Sequence, residues 1–247
     1  MTDAAALAEA TALHDPLAAD ERLLDDERFL LFVGATEATV QRLRLDDVQA
    51  ALADVRERVG ARPTTWEAAT VSAPVDVAER LLELGLREDK ARRAAAMVLR
   101  AELGPVPGME VRRVENVEDF KAHVQITHEV FGRLERLPAE LERIDREGAA
   151  QLEDASFVRY LAHVEGKPAG AATATFAPGG AILHSGSVLP WARGRGAYRA
   201  LVAFRAADAV ARGTPTVVTR ASAMSRPLLR GLGFEELFEL RFLVDAP

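Results

Sequence analysis

The sequence predicts an α/β fold in which a mixed, mostly antiparallel sheet is flanked by helices, in two lobes. Strand-like runs and amphipathic helical segments follow one another through residues 109–247. Three of the runs, residues 157–164, 168–176 and 181–188, are separated by short glycine-containing turns typical of hairpins. Residues 104–108 hold two prolines and two glycines, which disfavour both helix and strand. This segment therefore marks the predicted boundary between the lobes.

The two predicted lobes are residues 1–105 and residues 106–247. The first holds 20 acidic and 13 basic residues and the second holds 18 of each, so the first carries the whole net charge of −7. Neither lobe offers the basic surface that nucleic-acid binding requires. We therefore expect no nucleic-acid partner.

The composition excludes several kinds of chemistry. The chain has no cysteine, which rules out disulfides, cysteine–zinc sites and an acyl-cysteine intermediate. The N-terminus has no basic, apolar leader, and no run approaches the roughly 20 apolar residues of a transmembrane helix. We expect a cytoplasmic protein that has no metal and no membrane contact, either a monomer or a homodimer.

The second lobe has a clear order of elements. After a strand at 109–114, the pattern predicts helices at 117–131 and 138–151, and then the three hairpin strands. The remaining predicted elements are a helix at 196–212, a β-branched strand at 214–220, a short helix at 225–231 and a strand at 234–244.

The first lobe resembles the end of the second. Helices are predicted at 46–59 and 75–84, and strands at 64–71 and 94–99. Residues 81–86 resemble residues 228–234, which suggests a degenerate internal repeat, with coincidence as the alternative. No glycine-rich loop precedes the helix at 46, so we expect this copy not to bind a cofactor in the same manner.

The most informative stretch joins a predicted strand to a predicted helix. Its glycines allow the backbone to come close to a ligand, and the free N–H groups at a helix start form an anion site. Arg193 and Arg195 can add charge-assisted contacts to phosphate. The stretch lacks the Gly-Lys-Ser/Thr of a P-loop and the Gly-x-Gly-x-x-Gly of a dinucleotide fold. It therefore predicts a diphosphate site formed by Arg193, Gly194, Arg195, Gly196, Ala197 and Tyr198, and it places Ser187 and Val188, also cofactor-binding candidates, on the strand that leads into this site.

Residues 109–247 resemble the GNAT superfamily of acyl-coenzyme A-dependent N-acyltransferases, most strongly from Gly166 to Phe234. The turn at 166–170 is similar to the one between the family's second and third strands. The run at 188–196 resembles the family's fourth strand and its Gln/Arg-x-x-Gly-x-Gly/Ala loop. Tyr198 departs from this pattern, because it stands where the family has glycine or alanine.

The resemblance implies acyl transfer within a ternary complex. The pantetheine arm of acetyl-coenzyme A would lie between splayed fourth and fifth strands and pair with main chain near Val188. The acceptor amine would attack the thioester carbonyl directly, and a main-chain N–H near Val188 would stabilise the oxyanion. An amine is protonated at neutral pH, so a proton must leave before or during the attack.

His184 is the first candidate for the proton acceptor. It lies four residues before Val188 and shares that residue's face of the strand if no bulge intervenes. Arylalkylamine N-acetyltransferases have a proton-accepting histidine at a similar place. The alternatives are a histidine packed within the hairpin, His128 or Glu129 at the end of the helix at 117–131, and a chain of waters.

The tyrosine acid usual in the family is missing, because Leu229 stands at its place in the Tyr-x-x-x-Gly-Phe pattern. Ser222 stands where many relatives have a pantetheine-contacting asparagine. It is a candidate for binding the cofactor or protonating the thiolate, and its alternative role is an ordinary turn or cap serine. Tyr160 and Tyr198 are the only tyrosines. We expect Trp191 to shield the cofactor mouth.

The sequence thus predicts an N-acyltransferase that moves an acetyl group from acetyl-coenzyme A to a primary amine of a small molecule or peptide. The alternative is a non-catalytic module that binds acyl-coenzyme A as a sensor or scaffold, which the missing tyrosine favours.

Overall fold

The computed structural model describes residues 3–18 and 20–246, and the chain divides into two compact units. The first unit runs to Val98 and also includes the residues from Arg220 onward, and the second unit runs from Leu99 to Thr219. The first break lies close to the predicted boundary. Residues 220–247, which the sequence analysis assigned to the second lobe, pack with the first unit. The boundaries of functional domains stay a prediction.

The described residues form seven α-helices and twelve strands. The helices are α1 (Asp3–Glu9), α2 (Val48–Val59), α3 (Val77–Glu83), α4 (Val117–Phe131), α5 (Leu137–Leu152), α6 (Ala197–Ala211) and α7 (Arg226–Gly231). The first six strands are β1 (Arg22–Asp25), β2 (Leu30–Val33), β3 (Ala38–Gln41), β4 (Thr64–Ala69), β5 (Arg87–Glu88) and β6 (Ala94–Leu99). The other six are β7 (Glu110–Arg113), β8 (Phe157–Val164), β9 (Lys167–Ala177), β10 (Gly180–Val188), β11 (Val217–Ser222) and β12 (Phe234–Asp245).

The first unit is a sheet covered by α2 and α3. Its strand order is β1-β2-β3-β4-β12-β6, and β5 pairs with β12. The β3–β4 pair is parallel, whereas β1–β2, β2–β3 and β4–β12 are antiparallel. The core brings Val55 of α2 and Leu81 of α3 against strand residues such as Trp66, all fully buried. Burial of these side chains stabilises the unit by about 1.5–3 kcal/mol for each large apolar side chain.

The second unit is a five-stranded sheet in the order β7-β8-β9-β10-β11, in which β11 takes part with its residues up to Thr219. Its first four strands pair antiparallel, and α6 connects β10 to the parallel strand β11. Leu161 packs with residues of α4 and α5, while its neighbour Tyr160 contacts Phe204 of α6 edge to face. Neighbouring residues of a strand point to opposite faces. Therefore α4 and α5 cover one face of this sheet and α6 covers the other.

The predicted fold class is confirmed, and most elements lie where the sequence placed them. The helix predicted at 117–131 is α4, and the three hairpin strands are β8, β9 and β10. Both units contain a parallel strand pair joined by a helix, β3–α2–β4 and β10–α6–β11, as an internal repeat requires. The sequence pattern predicted no element at α1, β1, β2, β3 or β5. It also gave no partner for β12, which pairs with β4.

Candidate functional site

The loop between β10 and α6 has the backbone that its glycines predict. A short 3₁₀ turn at Pro190–Ala192 follows β10. Gly194 has a φ of +75° and Gly196 a φ of +93°, in the left-handed region that favours glycine. The chain therefore turns sharply twice before α6 begins.

The start of α6 is open to a ligand. Gly196 is the N-cap residue, and it has no side chain that could accept a hydrogen bond from the first-turn amides, as a Ser, Thr or Asp cap would. These amides belong to Ala197, Tyr198 and Arg199. The helix dipole adds partial positive charge at the same point, so the geometry fits a phosphate group.

Both arginines of the loop are exposed and have weak partners within the chain. Arg193 donates through Nε to the carbonyl of Val188 at 3.2 Å. Arg195 pairs with Glu165 of the β8–β9 turn at 2.5 Å, with side chains 43% and 70% exposed. An ion pair this exposed contributes little to stability. A diphosphate can therefore replace Glu165 as the partner of Arg195 at small cost.

A β-bulge in β10 changes the predicted position of His184. His184 lies opposite Thr173 of β9, and Ser187 lies opposite Ala171, so three steps on β10 match two on β9. Ser185, inside the bulge, has a φ of +49°. Directly opposed residues point to the same face of a sheet. His184 thus shares the face of Ser187 and not that of Val188, and the expectation of a common face with Val188 is wrong.

His184 and Ser187 point to the face covered by α4 and α5, where Ala171 packs with both helices. The Nε2 atom of His184 lies 3.1 Å from the hydroxyl of Thr175. Ser187 is buried and donates to the carbonyl of Ala171 at 3.1 Å, so its side chain is engaged and only its main chain can meet a ligand. His184 therefore faces α4, and the bulge that follows it turns Val188 to the opposite face of the sheet.

The rival bases lie at the exposed end of α4. His128 contacts the carbonyl of Arg133 through Nδ1 at 3.2 Å, and Glu129 is exposed. A third histidine, His123, was not among the predicted site residues; it is buried and contacts the carbonyl of Ala172 through Nε2 at 3.2 Å. Burial lowers the pKa of His123 to about 4, so it is neutral at pH 7. Its place on the apolar stripe of α4 is the signal that could have shown its burial.

The two tyrosines lie on the α6 side of the sheet. Tyr160 donates its hydroxyl to Asp208 at 2.5 Å, and burial raises its pKa, so it is not a proton donor for a thiolate. The ring of Tyr198 packs against β10 at Gly186, where an added Cβ would lie 2.9 Å from the ring. Burial also raises the pKa of Tyr198. Its ring lies along the strand, which differs from the expected position near phosphate.

Ser222 and Leu229 belong to the first unit. The Ser222 hydroxyl lies 3.3 Å from that of Ser225 and accepts from the Ser225 amide at 3.4 Å. These local contacts are those of a turn serine ahead of α7, and a role for Ser222 in cofactor binding or catalysis stays a prediction. Leu229 is buried in α7.

The strand pairing beside the loop ends early. The register of β10 with β11 covers three residue pairs, of which Leu183 with Thr219 is the last, whereas β10 continues to Val188. The final residues of β10 thus extend past this pairing, as the predicted splay between the two strands requires.

A cavity of about 530 Å³ lies at the other end of α6, lined by β7 and by residues such as Phe204 and Asp208. Arg113 in its wall pairs with Asp208, and Arg112 pairs with Asp119. These two arginines of the cavity wall thus already have carboxylate partners within the chain. The described residues also bring together no cluster of His, Asp and Glu able to hold a metal ion. None of the helices described is long and apolar enough to cross a membrane.

Comparison with solved structures identifies the fold. A GCN5-related N-acetyltransferase from Kribbella flavida matches with a TM-score of 0.74 and 18% identity, over 100% of this chain and 97% of that one. Another from Sphaerobacter thermophilus matches with a TM-score of 0.62 and 20% identity, over 91% and 83% of the two chains. No family model and no curated protein matches the sequence.

The chain therefore has the GNAT fold, as the resemblance predicted. A tandem GNAT protein from the clavulanic acid biosynthesis pathway matches with a TM-score of 0.65 and 14% identity, over 98% of this chain and 93% of that one. The likeness thus covers both units, and the predicted GNAT-like N-terminal half is confirmed at the level of fold.

Proposed function

We propose that the chain is an N-acyltransferase that moves an acetyl group from acetyl-coenzyme A to a primary amine by direct attack in a ternary complex. The observation that carries the proposal is the uncapped start of α6, preceded by two left-handed glycines and two exposed arginines. The structural neighbours named as N-acetyltransferases support the same chemistry.

In this proposal the diphosphate of the co-substrate binds the first-turn amides of α6, and Arg195 exchanges Glu165 for phosphate. The pantetheine arm lies along the end of β10, which continues beyond its last residue pair with β11, Leu183 with Thr219. A main-chain N–H near Val188 donates to the oxyanion that forms when the amine attacks the thioester.

His184 is the proposed proton acceptor in this scheme. The Thr175 hydroxyl orients the imidazole through Nε2, and the pairing of His184 with Thr173 places the ring on the α4 side of the sheet, where we propose that the amine binds. Ser222 stays a candidate for a contact with the cofactor or for protonating the thiolate.

The rival proposal is a non-catalytic sensor or scaffold that binds acyl-coenzyme A. The lack of a tyrosine acid favours it. Buried Leu229 stands at the place of the family's tyrosine, and the hydroxyl of Tyr160 is already engaged with Asp208. Both proposals require the same binding site, so binding alone does not separate them.

Two measurements test these proposals in order. Coenzyme A at millimolar concentration should raise the melting temperature of the protein, because a ligand that binds only the folded state stabilises it. Release of thiol from acetyl-coenzyme A is then followed with a panel of amines. Absence of the thermal shift overturns both proposals, whereas a shift without amine-dependent thiol release supports the sensor.

A further inference from the structure

Arg205 of α6 is a buried cation at the β10 bulge that the proposed chemistry has not used. Its side chain is 2% exposed. Burial lowers its pKa to about 10, which leaves it charged at pH 7. Within residues 3–18 and 20–246 it forms no ion pair with a carboxylate. A buried charge of this kind is costly unless it is fully hydrogen-bonded, so its partners indicate why it is there.

The partners of Arg205 are main-chain carbonyls that span three elements. Nη1 donates to the carbonyl of Thr173 in β9 at 2.8 Å and to that of His184 in β10 at 3.2 Å. Nε donates to the carbonyl of Leu201 in α6 at 3.0 Å. Thr173 and His184 are the last register pair before the bulge. One guanidinium nitrogen therefore fixes both strands where the register shifts.

The same side chain lies behind the open end of β10. A Cβ added to Gly186 would meet the Tyr198 ring at 2.9 Å and Nη2 of Arg205 at 3.7 Å. Gly186 thus packs on Arg205 and Tyr198 with no room for a side chain. These two contacts limit where the Gly186 backbone can lie, while Ser187 and Val188 pair with Ala171 and Gly170 of β9.

We propose that Arg205 is a positioning residue for the thioester end of the co-substrate: it holds the β10 bulge in the shape that presents the backbone of residues 186–188 to the pantetheine arm. The inference rests on the proposed function. The two parts of the co-substrate would then depend on different features. The diphosphate binds the start of α6, whereas binding of the pantetheine arm depends on the β10 bulge, which Arg205 holds from the middle of α6.

The test compares two ligands by calorimetric titration. Coenzyme A carries the pantetheine arm, and adenosine 3′-phosphate 5′-diphosphate lacks it. Arg205→Met and Gly186→Ala should each weaken coenzyme A at least tenfold and leave the affinity for the fragment within about twofold. Arg205→Lys keeps the charge but cannot bond all three carbonyls, so it should give a smaller loss confined to coenzyme A.

Arg212→Met is the matched control. Arg212 directly follows α6, and its side chain donates hydrogen bonds to Asp208 and to the carbonyl of Ala155. This variant should leave the ratio of the two affinities unchanged. If Arg205→Met does not fold, Arg205→Lys and Gly186→Ala decide the question.

Equal weakening of both ligands, or unchanged coenzyme A affinity in folded Arg205 and Gly186 variants, would overturn the positioning role and leave the proposed function standing. If the unmutated protein binds neither ligand, the proposed function fails, and the inference fails with it.

Discussion

The two units start their central helices in opposite ways. In the first unit, Asp47 is the N-cap of α2, and its carboxylate accepts from the Ala50 amide at 3.0 Å. In the second, Gly196 precedes α6 and offers no side chain to the first-turn amides. The carboxylate of Asp47 thus occupies the position that a phosphate would take at α6.

The strands that lead into these helices differ as well. Strand β3 pairs with β2 in a regular register from Ala38 to Gln41. Strand β10 contains the bulge between His184 and Ser187. The same strand–helix–strand unit therefore exists in a closed form, whose helix is capped from within, and an open form suited to a ligand. The cap residue and the bulge are thus the features that distinguish the copy that we propose binds the co-substrate from the copy that does not.

The largest effect is expected from closing the open form. Gly196→Glu forces a side chain onto a residue with a φ of +93°, puts a Cβ 3.1 Å from Val106, and brings negative charge to the phosphate site. We expect coenzyme A affinity to fall more than about 100-fold. The stabilisation at about 100 times the original Kd, worth about 2.7 kcal/mol, should then fall below about 0.4 kcal/mol.

Gly213→Glu is the control for this substitution. Gly213 has a φ of +76° with open space around it, and it follows the other end of α6, so the backbone strain and the added charge are similar. This variant should keep the coenzyme A shift. An unchanged shift in Gly196→Glu would show that the ligand binds elsewhere.

The second prediction is that acid destabilises the second unit more than the first. The folded pKa of His123 is about 4, against an ordinary value of 6.5, so between these pH values the unfolded chain binds a proton that the folded chain does not. The stabilisation that is linked to this lowered pKa is fully present above pH 6.5 and is lost as the pH falls. By pH 4 the free energy of unfolding of the second unit should drop by about 3 kcal/mol from this group.

Hydrogen exchange of amides in each unit, measured from pH 7 to pH 4, checks this expectation. The first unit has His14, whose pKa is also lowered by burial but which is only partly buried. His123→Gln should reduce the pH dependence of the second unit to the part that comes from His163, whose pKa is also lowered by burial, and leave that of the first unit unchanged. Equal flattening in both units, or none in either, would contradict the assignment.

The bulge allows a third test, which concerns turnover. If His184 accepts the amine proton, His184→Gln should lower kcat by about 100-fold, or about 2.7 kcal/mol, because glutamine keeps hydrogen bonding and lacks basicity. Coenzyme A affinity should change little, since the diphosphate contacts lie beyond Val188. The measurement is thiol release with an amine accepted by the unmutated protein.

Glu129→Gln, on the exposed end of α4, is the parallel variant. It should retain turnover if His184 is the base. Near-normal turnover in His184→Gln would remove the histidine from the mechanism and leave Glu129 or a water relay.

The sequence predicted the elements better than their partners. The periodicity of residues 117–131 is long and regular, and the hairpin turns limit β8 to β10, so these elements lie where they were predicted. Strands β1 to β3 have four residues each, too few for a clear alternation. The pairing of β12 with β4 depends on contacts distant in sequence, which a strand pattern does not encode.

In the site, too, local features were predicted from the sequence and long-range contacts were not. Glycine and arginine spacing indicated the open helix start, because those residue types act through local backbone geometry. The bulge adds one residue to a strand, and Gly186 is the signal for it in the run from His184 to Val188, since a glycine inside a strand often marks a bulge. The predicted face of His184, which assumed a strand without a bulge, was therefore wrong. The carbonyl partners of Arg205 come from three separate elements and have no sequence signal.

The smallest expected effect is on the closed form itself. Asp47→Ala removes the carboxylate that caps α2 and should lower the free energy of unfolding of the first unit by about 1 kcal/mol, the usual cost of losing an N-cap side chain. The stabilisation by coenzyme A should be unchanged, because the uncapped start of α2 still lacks the glycines and arginines of the other loop. Urea titration with and without coenzyme A measures both quantities. A coenzyme A effect that grows in Asp47→Ala would mean that the first unit also binds the ligand once its own carboxylate is gone, and the difference between the two units would then rest on that one residue.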